Sequence, residues 1–304
     1  MIKSATVKGY IYALIATLAF SNVYIFSKAA LNEVHLSQFG LYWFAISCLL
    51  NLLLVMKNKK LGILFSMNKK GLSILLLLGI MEIITTSTFF ISINIIPDPS
   101  ITSFLGNLYP VMLVIMGVAV LNERFGKIES IGVVLALTGA FAISYQGGNN
   151  WRDFFIPGTG VVLINAFFAA TTSIIAKKNI NLFSPELISF NRTFWLLLFS
   201  FGVFIYFGKP LAIPAQALKN IVIGAILGPF LALYTVYMSF KYIEASRSSI
   251  IQSMKGIFVL VGAYLYLGTI PTGFQLMGGL LTVVGVSIVA LAQAGILRFS
   301  KMKN

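Results

Sequence analysis

The chain has 304 residues, of which 58% belong to the Ala, Val, Ile, Leu, Met, Phe, Trp, Tyr and Cys class and 10% are charged, with a mean hydropathy of +0.93. A water-soluble domain carries roughly 25% charged residues, so this composition excludes a soluble enzyme and makes lipid the natural solvent. The net charge of +14 would suggest nucleic acid in a soluble protein. Here the basic residues gather between apolar runs, where they orient membrane spans, and no nucleic-acid partner is expected.

Lys3 and Lys8 precede an apolar run to Leu31 that has no obvious cleavage site, so it reads as a retained first span. A bilayer-crossing helix needs about 20 apolar residues. On that measure the chain holds ten: 9–31, 36–56, 71–94, 98–121, 126–146, 157–177, 185–208, 217–242, 245–268 and 272–295. With the N-terminus in the cytoplasm, sixteen Lys and Arg fall on cytoplasmic segments and four outside, namely Lys28, Arg152, Lys209 and Lys219. Arg192 and Lys255 lie within spans. That bias predicts both termini inside. The expected fold is therefore an all-α integral membrane protein of ten transmembrane helices.

A self-comparison finds a repeat, which predicts one five-helix unit at 1–147 and a second at 148–304. Displaced by 146 residues, Asp98 meets Glu244, Ser100 meets Ser246, Ser103 meets Ser249, Gly132 meets Gly278 and Gly139 meets Gly285. The front parts align at 149, matching Gly9 with Gly158 and Lys28 with Lys177. Because five is odd, the second unit must enter the membrane from the opposite side. Inverted repeats of this kind suit alternating access.

Pro110 near the middle of the fourth span, the turn Asn122-Glu123-Arg124, and the glycine-spaced fifth span with Gly132 and Gly139 resemble the EamA group of the drug/metabolite transporter superfamily. The likeness covers nearly the whole chain. The second repeat departs from the pattern, with Gly256 in place of Pro110 and Gly268-Thr269-Ile270 in place of the acidic-basic turn. The resemblance implies a secondary carrier in the cytoplasmic membrane of a prokaryote, often an exporter of amino acids or other small metabolites. It also puts Arg192 where the family often has Arg in the second span of a repeat; the first half has Ala45 there.

Helix interruptions at corresponding positions of two repeats point to a transporter's binding site. Two pairs qualify: Tyr109-Pro110 with Lys255-Gly256, and Glu82-Ile83 with Gly228-Pro229. Pro110 removes a backbone hydrogen bond and frees the carbonyl near Gly106. Glu82 and Lys255 are ionisable and stand near half-depth, where an exposed charge costs roughly 2.5–3.5 kcal/mol. One reading pairs them in the empty carrier, with an amphoteric solute or a proton intervening; the rival is a permanent structural pair, or two separately neutralised groups. Lys255 is suited to a carboxylate and Glu82 to carrying a coupling proton. Asn107, Tyr109, Asn22 and Gln252 complete the candidate contacts, and Arg192 is expected to snorkel or bond backbone carbonyls.

Asn165 and the threonines near the belt read most simply as interhelical hydrogen bonds, and Trp43, Trp151 and Trp195 as interface anchors or packing. The glycines of the fifth and tenth spans predict close helix packing, within one chain or across a homodimer. No phosphate-binding loop occurs, and Cys48 and His35, the single Cys and His, support neither a nucleophilic pair nor a His-rich metal site. No cofactor is expected. A lipid or lipid-carrier flippase of the same fold, or a channel, is the alternative to a solute carrier.

Overall fold

A computed structural model describes residues 4–60, 67–121, 126–145, 155–179, 182–243 and 251–293, with Gly62, Ser248 and Leu297. The described part is helical except for one isolated bridge between Tyr145 and Phe155. In chain order the helices are α1 (Ser4–Leu31), α2 (Leu36–Lys57), α3 (Lys69–Ile95), α4 (Pro99–Gly106), α5 (Leu108–Leu121) and α6 (Lys127–Ser144). Then come α7 (Thr159–Lys178), α8 (Pro185–Phe207) and α9 (Ala215–Ala225). A π-helical segment, Ile226–Ala232, joins α9 to α10 (Leu233–Tyr242), and α11 (Lys255–Leu267) and α12 (Gly273–Gln293) complete the order. The turn Asn122-Glu123-Arg124, Trp151, Glu244, Ser246 and Ser249 lie outside the described residues.

Seven described helices are long and apolar enough to cross a bilayer, against the ten predicted spans. The fourth predicted span is broken at Asn107 into α4 and α5, and the last two fall on α11 and α12. Helix ends are closed locally. His35 caps α2 in a reciprocal box with Gln38, Asp98 accepts the Ser100 N–H at 2.7 Å to cap α4, and Ser184 caps α8. His35 is thus accounted for as a cap.

The glycine stripes meet within one chain. A Cβ built on Gly132 would lie 2.7 Å from the Gly285 carbonyl, and one on Gly139 would lie 2.6 Å from the Gly278 carbonyl. Backbone meets backbone here, so only glycine fits. Because the partner number falls as the first rises, α6 and α12 run antiparallel. The two contacts also exchange under the displacement of 146, since Gly132 matches Gly278 and Gly139 matches Gly285. A second pair behaves alike. Gly9 packs on Tyr242 and Ile243, and its counterpart Gly158 packs on Ile95 and Ile96.

Candidate functional site

The two breaks are built in the same way. At the first, Asn107 ends α4 with its N–H donating to the Phe104 carbonyl at 3.1 Å. At the second, the Met254 N–H donates to Ile251 at 3.1 Å, and α11 starts at Lys255. Both are single tight i→i−3 turns within an apolar helix. They correspond to within one residue at the displacement of 146. The sequence reason differs between halves. Pro110 lacks the N–H that would reach Gly106, whereas the second break has Gly256 and no proline.

Gly106 and Gly256 leave space that neighbouring helices use. A Cβ on Gly106 would lie 3.1 Å from the Tyr24 hydroxyl and 4.0 Å from Lys255 Nζ. A Cβ on Gly256 would lie 2.7 Å from the Phe104 ring and 3.7 Å from Asn107 Nδ2. Lys255 Nζ stands 5.7 Å from the centroid of the Tyr24 ring. Tyr24 is in turn set edge-on against Phe89, with centroids 5.0 Å apart. Ser21 of α1 donates to the Lys255 carbonyl at 3.3 Å. Asn107 is 1% exposed, and its Nδ2 has no acceptor among the described residues.

The repeat relation exposes a parallel. Tyr109 matches Lys255 at 146 and Ser173 matches Tyr24 at 149. Tyr109 and Ser173 share a hydrogen bond of 2.8 Å between their hydroxyls. The same place in the two halves therefore holds a cation over a ring on one side and a neutral hydroxyl pair on the other.

Glu82 does not pair with Lys255. Its Oε2 lies 2.8 Å from Arg192 Nε, the ion pair present among the described residues. Arg192 also donates from a terminal nitrogen to Thr86 Oγ1 at 3.1 Å, and Thr86 donates to Glu82 at 3.4 Å. The Arg192 Nε–H is poorly aligned for a linear hydrogen bond, so the contact is chiefly one of charge. Arg192 therefore neither snorkels nor bonds carbonyls, because Trp195 seats on Gly79 one turn from Glu82 and brings α8 against α3. The Asn191 amide adds a bond to the Leu75 carbonyl at 2.9 Å.

The corresponding place in the other half has no charge. Pro229 has no N–H for the Ala225 carbonyl, which accepts from Ser47 at 3.4 Å instead. The Leu233 N–H reaches back five residues to Gly228, and this slip leaves the Pro229 carbonyl to Asn51 Nδ2 at 3.1 Å. Trp43, fully buried, lies on Gly224 and on Gly228, the counterpart of Glu82. Contact thus puts Trp43, rather than Ala45, opposite Arg192. Both described tryptophans with a role here are packing residues.

Other candidates turn elsewhere. Asn22 donates to Leu18 of its own helix at 2.8 Å, and Gln252 donates to Ser248 at 3.1 Å, which shares a bond with Ser239. Asn165 reaches the Thr85 carbonyl at 2.6 Å, joining α7 to α3. Lys28, counted in the sequence only as an outer topogenic charge, is 7% exposed and donates to Ile93, Asn94 and Ile96 carbonyls at 2.9, 3.2 and 2.9 Å. It ties α1 to the end of α3. A signal was available, since Lys28 precedes the end of a span that must turn beside another helix terminus with orphan carbonyls. No group of three or more His, Cys, Asp or Glu suited to a metal occurs among the described residues.

The family model for EamA-like transporters matches residues 7–145 and 156–291. Two relatives are each named as an uncharacterized transporter. One, from Archaeoglobus fulgidus, is 24% identical over 62% of this chain and 59% of its own length. The other, from Haemophilus influenzae, is 24% identical over 86% of this chain and 85% of its own. A solved crystal structure shares the fold, with a TM-score of 0.68 at 16% identity, covering 97% of this chain and 99% of the other.

Proposed function

As the chain belongs to the EamA-like transporter family, we propose that it is a secondary carrier that moves a small polar or amphoteric metabolite across the cytoplasmic membrane of a prokaryote by alternating access. In this reading the chain crosses the membrane ten times, with both termini inside, and its two five-helix halves are inverted. The observation that carries the reading is the pair of corresponding helix breaks at Asn107 and Met254, with the Lys255 ammonium beside the first. The antiparallel contact of α6 with α12, whose pairs exchange between the halves, supports inversion. Export is taken from the resemblance of the sequence to metabolite exporters.

Glu82 is the residue that would carry a coupling proton, with Arg192 as the charge that responds to it. A proton arriving at Glu82 would release Arg192 and loosen α3 from α8. Lys255, Asn107 and Tyr109 are the solute contacts.

Counterflow in proteoliposomes tests the reading. Vesicles loaded with amino acids and related metabolites should accumulate the labelled cargo transiently, with saturation. Glu82→Gln should remove any response to a pH gradient while leaving exchange measurable. Absence of counterflow by every soluble solute, in folded protein, would favour a flippase of lipid-linked cargo.

A further inference from the structure

Charge at the breaks narrows the cargo further, on the footing that the carrier reading holds. Of the eight acidic residues, Glu82 is the one near the middle of a span; Glu33, Asp98, Glu123, Glu129, Asp153, Glu186 and Glu244 fall at span ends or between spans. Arg192 occupies Glu82 at 2.8 Å. Lys255 is left without a carboxylate among the described residues, resting on the face of Tyr24. A ring offers a cation a quadrupole and no counter-ion, so Tyr24 does not take the place of a carboxylate. Among the described residues, Lys255 at the belt therefore has no counter-ion.

Asn107 supplies an independent sign. Its Nδ2 is a donor buried at 1% exposure with no acceptor among the described residues, and it lies beside Gly256, next in the chain to Lys255. The Lys255 ammonium thus lies beside Gly106 and the Asn107 amide beside Gly256, so each helix break has a donor from the other next to it. Both seek an acceptor, and a carboxylate has two oxygens to offer. The mirrored place holds Tyr109 and Ser173, whose hydroxyls both donate and accept without charge. Tyr109 follows Gly106 by three residues, so the two places flank the same helix break.

We infer that the cargo is a small carboxylate anion with a neutral hydrogen-bonding tail, its carboxylate on Lys255 and Asn107 and its tail toward Tyr109 and Ser173. A zwitterion fits poorly, because its ammonium would find no free carboxylate at the belt among the described residues.

Three solutes on one carbon skeleton separate charge from shape: lactate, alanine and lactamide. They are compared in counterflow with wild-type protein, and alongside them stand pools of other monocarboxylates, their amides and α-amino acids. Carboxylates should exchange at least tenfold faster than the matching amides and amino acids. Lys255→Arg should keep most of that rate, Lys255→Gln should lose at least tenfold, and Tyr109→Phe should lose severalfold for hydroxylated carboxylates. Thermal unfolding of wild-type protein in detergent gives a second readout that needs no variant, with an upward shift expected from the carboxylate and none from its amide. Exchange of amino acids or amides at the carboxylate rate, or carboxylate exchange that survives Lys255→Gln, overturns the anion assignment and leaves the carrier reading standing. Exchange by no solute of any charge overturns both.

Discussion

The interface of α3 with α8 and that of the π segment with α2 each join the two halves and are counterparts under the repeat, yet they are made by opposite means. On one side Glu82, Arg192 and Thr86 form a polar triangle beside Trp195 on Gly79. On the other, Trp43 covers Gly224 and Gly228, and two side chains of α2 collect the carbonyls that Pro229 and the helix slip release. In the first interface the helix from the first half is unbroken and carries one member of a buried charge pair. The other removes the charge and distorts the backbone. An interface in lipid needs close packing and satisfied polar groups, and either device supplies both. Only the charged one can respond to a proton.

The largest effect should come from the charged side. Glu82→Gln leaves Arg192 uncompensated, and the expected loss is about 3–5 kcal/mol in unfolding measurements in detergent. Adding Arg192→Met should restore stability to within about 1.5 kcal/mol of the parent, since the cost lies in the orphaned charge rather than in the lost pair. A double variant as unstable as the single would mean that the pair itself holds α3 to α8. On the apolar side the effect should be smaller. Gly224→Ala puts a methyl into the Trp43 ring, and about 2–3 kcal/mol is expected from overpacking. An unchanged thermal midpoint there would show that Trp43 can shift freely and is no counterpart of Arg192. Smallest of all, Asn51→Ala frees the Pro229 carbonyl, which should cost about 1 kcal/mol and slow exchange only slightly.

Much of the architecture was legible in one dimension. The residues point to a kink at Pro110, close glycine packing of the fifth and tenth spans and an interruption at Gly228-Pro229; the structure has a break at Asn107, glycine contacts between α6 and α12, and a π segment over Ile226–Ala232. Each follows from a local property: a missing N–H, a missing side chain, or both. The partner of Glu82 was not legible. Two cations lay within spans, and depth alone favoured Lys255 over Arg192. An arginine side chain reaches several ångströms along a helix, so the residue nearer the cytoplasmic end could still meet Glu82. Asn22 and Gln252 had the right chemistry and depth, but they bond along their own helix or to the neighbouring serine.

The sequence by itself determined the apolar composition that suits lipid, the apolar runs and the places where a residue lacks an N–H or a side chain, because these depend on composition and on each residue's own backbone. Tertiary structure decided which polar groups meet. That depends on how each helix is rotated about its axis, and the rotation is set by bulky contacts such as Trp195 on Gly79 and Trp43 on Gly224. Such contacts join residues more than a hundred positions apart, so no local pattern records them. They leave Glu82 with Arg192 and Lys255 without a carboxylate among the described residues.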